Sequence, residues 1–381
     1  MKIIYDYLLN VSSLKNEIDV AISTEMHGFI LINEEGDKLC DYISWTHECT
    51  RDILDEIKNR VSIENIRKSG MPLKAGIPST SLYELKKDTK IDAGILLSLG
   101  DYYIYRITGI FPSMHPTNAA ATGLFDLELN EWNLDYISEL GYKHFKFPKV
   151  EEHRIFETTI NGVLFKFHEA IGDQQAALLG AEIDKDKMSI NMGTGSQISV
   201  ISDSLLLSSE FQTRPFFNDT YLLTIPNIPC GRALSVYMKF FKEIISKYIG
   251  GKVDEDKVWE MIMADRHGNN EEELDIDMSF FDNAITHKSQ GSISNINESN
   301  FNIDNLTVSI MNQMSNNYSI AYGRLPLSND YKKLVFSGGV ARKNPCLAKK
   351  IALDMGMSEY TIDKRDALDG LIKYIQLENK C

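Results

Sequence analysis

Residues 190–200 leave little choice of local structure. Ile190-Asn191-Met192 is a short apolar strand that breaks into Gly193-Thr194-Gly195, and an alternating strand resumes through Ile198 and Val200. Strands this close in sequence read as a hairpin. Two glycines flanking a hydroxyl allow backbone N–H groups to come close to an anion. Just upstream, Ile171-Gly172-Asp173-Gln174-Gln175-Ala176-Ala177-Leu178-Leu179-Gly180 reads as the start of a helix. Asp173 stands where an N-cap would, and its carboxylate can accept from the first free amides. Ala176, Ala177, Leu179 and Gly180 give a small, closely packing face. The electropositive helix end is expected to keep that carboxylate ionised, with a low pKa. A carboxylate base followed by an anion-binding hairpin suggests transfer of phosphate onto a hydroxyl.

The totals narrow the class. A chain of 381 residues is too long for one compact core and reads as two domains. A charged run, Glu182-Ile183-Asp184-Lys185-Asp186-Lys187, is the best boundary, giving residues 1–183 and 184–381. With 43% hydrophobic and 25% charged residues the composition is that of a soluble globular protein. The start turns polar before a targeting core could be complete, and no apolar run is long enough to cross a bilayer. Five scattered cysteines without CxxC spacing point to a reducing cytoplasm, with neither a disulfide framework nor a zinc site. A net charge of −14 argues against a nucleic-acid partner.

Along the chain, Ile4, Tyr7, Leu8 and Val11 have helical spacing. Val20 to Ser23 reads as a buried strand with an exit loop through Met26, His27 and Gly28. Phe29–Asn33 and Lys38–Ile43 flank a turn, Glu34-Glu35-Gly36-Asp37, as a hairpin. His27, on a loop beside a glycine, could contact a substrate hydroxyl or be an ordinary surface histidine. Residues 71–86 read as a loop entering a helix, and 91–108 as a strand and then a helix closed by Gly109. The Ala-rich stretch after His115 reads mostly as close-packed core. A helix is plausible over 236–249, and residues 265–305, rich in Asn, Asp, Glu and Ser, read as a surface excursion. Leu306, Ile310, Met311, Met314, Tyr318 and Tyr322 mark a helix with one buried stripe. Finally, Leu334-Val335-Phe336-Ser337 runs into Gly338-Gly339 and a helix signed by Asn344 as N-cap and Pro345 at the first position. Glycines at a strand-to-helix turn let a flat ligand or phosphate reach the backbone.

Taken in order, Met26-His27-Gly28, Asn118-Ala119-Ala120, Trp132-Asn133, Gly172-Asp173-Gln174-Gln175, Gly193-Thr194-Gly195 and Gly338-Gly339 resemble the FGGY family of carbohydrate kinases, especially its sedoheptulokinase and xylulokinase branch. The resemblance runs from Val20 to about Leu371. It implies an α/β chain of two RNase H-like (actin-like ATPase) domains with an interdomain cleft, sugar on the first and ATP on the second. By that pattern Asp173 is the catalytic base, and Met26, His27, Trp45 and Gln174 lie near the sugar. Gly193, Thr194 and Gly195 lie on the phosphates, and Gly231, Gly338, Gly339 and Asn344 around the nucleotide. Arg342 and Lys343 could add local positive charge. ATP and Mg2+ are the implied cofactors, with no metal ligand assigned in this chain, and a ketose is the implied substrate.

The sequence departs from the pattern at several points. The family's opening hairpin, Asp-x-Gly-Thr-Thr, has no counterpart before Val20, so the first domain is expected to be N-terminally truncated with exposed sheet edges. Glu25 stands for a usual Gln, His47 and Cys49 for an Asp and an Arg, Cys230-Gly231 for Gly-Gly, and Asn283-Ala284-Ile285 for Gly-Thr-Arg. Three readings therefore stand side by side: an active cytoplasmic kinase, a non-catalytic sugar- or nucleotide-binding protein on the same scaffold, or half of a split kinase. A homodimer and a complementing N-terminal fragment are the protein partners left open.

Overall fold

A computed structural model describes residues 2–13, 15–47, 49–249, 254–263, 273–326 and 331–379. The chain forms two compact units. The first gathers residues 1–182, 202–222 and 365–381, and the second 183–201 and 223–364. A two-segment division at 183/184 treats each unit as continuous, whereas the chain returns to the first unit twice. Packing explains both returns. A Cβ on Gly370, in the helix Ala367–Glu378, would lie 1.8 Å from the Ala176 carbonyl oxygen, so only glycine lets this helix lie against Asp173–Gly180. Glu182, in the charged run, pairs with Arg365 at 2.8 Å and Lys373 at 2.7 Å. The Thr213 amide donates to the Gly70 carbonyl at 2.8 Å.

In the first unit the strand Glu17–Val20 lies parallel to Val163–His168, which pairs antiparallel with Ile155–Ile160. The same two chain segments continue as Ser23–Thr24 parallel to Ile171–Gly172. The loop of Met26 and His27 and the helix of Asp173 thus leave the ends of neighbouring parallel strands, where open α/β sheets place ligands. The opening helix Lys2–Val11 buries Leu8 and packs Ile4 and Val11 on the core. Tyr7, read as part of that stripe, is instead 65% exposed. The 29–43 hairpin forms as read, with the Asn33 amide donating to the Asp37 carbonyl and bridges joining Phe29 to Ile43. The helix Leu99–Thr108 starts on a Ser98/Asp101 capping box and ends on Gly109 at φ 72°. Pro116–Ala121 is a wholly buried helix, as its alanines predict.

The second unit is built on a sheet in which Tyr221–Ile228, Ser196–Ser202, Lys187–Met192, Lys333–Ser337 and Glu359–Ile362 are successive neighbours. Lys187–Met192 and Ser196–Ser202 are the antiparallel hairpin, and the last three strands are parallel. The helix Gly231–Ile244 continues as a π-helical turn, Ile245–Ile249. Ile303–Arg324 buries Ile310, Met314 and Tyr318, and Pro345–Asp354 starts on Asn344, whose side chain accepts from the Leu347 amide. Of the stretch read as a surface excursion, 265–272 lie outside the described residues, and 287–299 are exposed as read. Over 274–285 the reading is corrected: Leu274, Ile276, Met278 and Ile285 are buried, and Asp275–Asp277 pairs antiparallel with the exposed strand Ser292–Ser294. The alternation of Leu274, Ile276 and Met278 was the signal for a strand with one inward face.

Candidate active site: an acid, a buried cation and three glycine turns

In the first unit, Asp173 is the first residue of its helix, not its N-cap. Gly172 holds the cap position, and the Asp173 carboxylate accepts from the next amide, Gln174 N, at 2.8 Å. Solvent reaches the side chain, yet the surrounding protein mass desolvates the carboxyl and raises its pKa; the Gln174 amide and the Arg214 charge oppose this, and Glu25 adds to it. The expectation of a depressed pKa is therefore corrected. Desolvation and a neighbouring acid outweigh the helix end. The neighbourhood of Asp173 is fixed by Pro116–Ala121: Asn118 Nδ2 donates to the Ala170 carbonyl at 2.8 Å, and the Gly172 amide donates to Thr117 Oγ1 at 3.2 Å. A Cβ on Gly172 would meet Gln175 Oε1 at 2.6 Å and Met26 Sδ at 3.0 Å. Glycine is thus what brings the Met26 loop against the helix start.

His27 adopts φ 66°, a conformation a non-glycine residue seldom takes. Its Nδ1 donates to the Ala121 carbonyl at 2.7 Å. It is half-buried, so the surface-histidine alternative is not what the fold shows. Burial first, and then the charges of Lys74 and Arg214, hold its pKa well below the usual value, so the ring is neutral and Nε2 is an acceptor. A small recess is lined by Glu25, Met26, His27, Gly28 and Asn118, and Glu25 accepts from Tyr42 Oη at 2.5 Å.

Gln174 is buried and accepts from Arg214 Nη1 at 2.5 Å. Met26 Sδ lies 3.7 Å from the same nitrogen, and Gln212 Oε1 accepts from Nη2 at 2.8 Å. Arg214, 5% exposed, thus ties Met26 and Gln174, from distant parts of the chain, to its own strand. Sequence reasoning assigned it no role; the signal was an arginine directly before Pro215-Phe216-Phe217. Burial pulls its pKa down to about 10, and Asp173 opposes that fall. Trp45 is 54% exposed and makes no ring contact or side-chain hydrogen bond among the described residues. Of its neighbours, His47 Nε2 meets Glu84 Oε2 at 2.6 Å, and Cys49 is buried.

In the second unit three glycine turns converge. The Gly231 amide donates to the Gly193 carbonyl at 3.1 Å, and the Arg232 amide to the Thr194 carbonyl at 2.8 Å. Gly338 takes φ 90° and ψ 165°, and a Cβ there would lie 2.5 Å from the Met192 carbonyl oxygen and 3.0 Å from the Gly193 amide nitrogen. Gly193, Gly231 and Gly338 therefore pack backbone on backbone. Gly195 and Gly339 face open space, and Thr194 is exposed. Asn344 caps the next helix and is buried, while Arg342 and Lys343 are exposed. Among the described residues there is no cluster of His, Cys, Asp or Glu able to hold a metal, and no helix long and apolar enough to cross a membrane.

One unit thus ends neighbouring parallel strands at an acid, and the other holds a strand–Gly–helix turn with open backbone. Residues 6–180 match the FGGY family of carbohydrate kinases, N-terminal domain. The glycerol kinase of Thermococcus kodakarensis is 24% identical over 203 residues, 50% of this chain and 41% of that protein. A rhamnulokinase of Yersinia pestis is 23% identical over 210 residues, again 50% and 41%. The chain thus spans about two-fifths of the length of these curated relatives. The ligand-bound xylulose kinase of Lactobacillus acidophilus superposes with a TM-score of 0.82 at 18% identity, covering 100% of this chain and 80% of that one. The fold is accordingly that of two RNase H-like, actin-like α/β domains.

Proposed function

We propose that the protein is a sugar kinase that transfers the γ-phosphoryl group of ATP, with Mg2+, to a hydroxyl of a ketose of the sedoheptulose or xylulose type. The observation that carries this reading is Asp173: a solvent-reached carboxylate at the first position of a helix, against whose start Gly172 brings the Met26 loop. In this mechanism Asp173 accepts the proton of the attacking hydroxyl. The neutral Nε2 of His27 accepts from a second sugar hydroxyl, and Gln174, held by Arg214, orients the sugar beside the base. Trp45 offers an exposed ring to the same substrate. Thr194, Gly195 and Gly339 receive the phosphates, since their backbone is open where Gly193, Gly231 and Gly338 are closed. ATP supplies the phosphoryl group, and Mg2+ is held largely through its phosphates and water, which needs no all-protein ligand set. The protein's share is positioning and charge neutralisation.

ADP release measured over a panel of ketoses tests the reading, and silence on every sugar at high enzyme concentration overturns it. Asp173→Asn is expected to lower kcat by about 10²–10⁴-fold with the melting temperature nearly unchanged; unaltered turnover would remove Asp173 from the role of base. Because the base works ionised, kcat/KM should rise with pH through a pKa above the ordinary carboxylate range. Sugar binding without turnover would instead support a non-catalytic binding protein, the reading favoured by the His47 and Cys49 replacements.

A further inference from the structure

Glu25 is a second carboxylate beside Asp173, and the backbone puts it there. Ser23–Thr24 and Ile171–Gly172 pair in parallel, with Thr24 the partner of Gly172. Glu25 and Asp173 are the next residues of these two strands, so they leave the pair side by side. The approach is close, since Met26 Sδ lies 3.0 Å from where a Cβ on Gly172 would sit. Glu25 is half-buried and Asp173 exposed. The 29–43 hairpin holds Glu25 in place: Tyr42 Oη donates to its Oε1 at 2.5 Å, and the bridge of Phe29 to Ile43 fixes the backbone next to that tyrosine. Gly28 makes the room, because a Cβ there would lie 1.9 Å from Tyr42 Oη. No cation pairs with the Glu25 carboxylate among the described residues.

A neighbouring like charge opposes ionisation, and a hydrogen bond to a carboxylate favours its charged form. Tyr42 serves only as the donor of that bond, since burial and then Glu25 push its own pKa up. The Arg214 charge, from the strand Gln212–Pro215, acts on Asp173 in the opposite sense, and His27 is neutral. We propose that Glu25, held by Tyr42, is a positioning residue of the transfer: its charge beside Asp173 sets the pH above which Asp173 takes the proton of the sugar hydroxyl. This role rests on the kinase reading, which makes Asp173 the base. Glu25 offsets the pull of Arg214, and a carboxylate of higher proton affinity takes a hydroxyl proton more readily.

Two measurements on the full chain test this. The Asp173 carboxyl is titrated by carbon-13 NMR of protein labelled at its aspartate carboxyls, with Asp173→Asn identifying the resonance; no sugar is needed. The pH profile of kcat/KM is followed separately by ADP release. Glu25→Gln keeps the acceptor for Tyr42 and removes the charge. It should lower the Asp173 midpoint by about one pH unit and move the acid limb of the profile down by the same amount. Glu25→Asp keeps the charge and should keep most of the raised midpoint. An Asp173 midpoint unchanged in Glu25→Gln, or lowered as far in Glu25→Asp, would overturn the proposal whatever the turnover. A lowered midpoint with an unmoved acid limb would overturn the role of Glu25 in the transfer. A lowered midpoint with no ADP released from any sugar would sustain the pairing of the two carboxylates and overturn the kinase.

Discussion

At the scale of single residues, positions that tolerate no side chain carry as much of the site as the polar groups. Gly338 combines φ 90° and ψ 165°, a region open essentially only to glycine, with a carbonyl 2.5 Å from where a Cβ would sit. Gly338→Ala is therefore expected to cost the second unit about 1–3 kcal/mol, read as a lower denaturation midpoint, and to weaken nucleotide binding by moving the Gly193 turn. An unchanged midpoint would show that the turn relaxes freely. The sequence made this glycine visible because it stands between a strand and a helix. It also made Asp173 visible, but not its ionisation: helix position is a local property, whereas desolvation depends on residues far along the chain. Arg214 was illegible for the same reason, since Met26 and Gln174 reach it only after folding.

At the scale of elements, the strand Val163–His168 and the turn after it carry titratable groups away from the sugar site. Glu169 is fully buried, accepts from Ser113 Oγ, and accepts from the Arg154 amide at 3.3 Å. Burial pushes its pKa up to about 8, and the same cause raises Asp101, in the helix Leu99–Thr108, to about 7. In the unfolded chain both titrate near 4. Between about pH 4 and 8 the folded state therefore binds more protons than the unfolded one, and stability falls as pH rises through this window. Glu169→Gln keeps the shape and removes the titration, so it should flatten that fall, measured by chemical denaturation at several pH values. An equally steep profile would show that Glu169 is ionised throughout. Elements with one clear periodicity, such as Ile303–Arg324 and the 190–200 hairpin, were legible from sequence alone. The hairpin over 275–294 was not, because its polar composition masked the inward Leu274, Ile276 and Met278.

At the scale of the whole molecule, the first unit is assembled from three separate segments and the second from two. The number of domains and their α/β class could be read from length and motif order. The returns of 202–222 and 365–381 could not, because the contacts that fix them, Gly370 on Ala176 and Thr213 on Gly70, have no sequence-local signature. Ending the chain at Lys364 removes Tyr374, whose ring packs within 5.7–6.2 Å of Phe217, His115 and His168, and removes the partners of Glu182. The first unit should then lose its cooperative thermal transition, seen by calorimetry, and a native transition in that shortened chain would show the helix Ala367–Glu378 to be dispensable.

The same connectivity sets an order of events during synthesis. Every residue of the second unit has been joined to the chain before residue 365 is, while the first unit still waits for the helix that closes it. The unit whose segments come first in this sequence is thus the one completed last. Until then the Asp173 helix lacks, around Ala176, the neighbour that covers it.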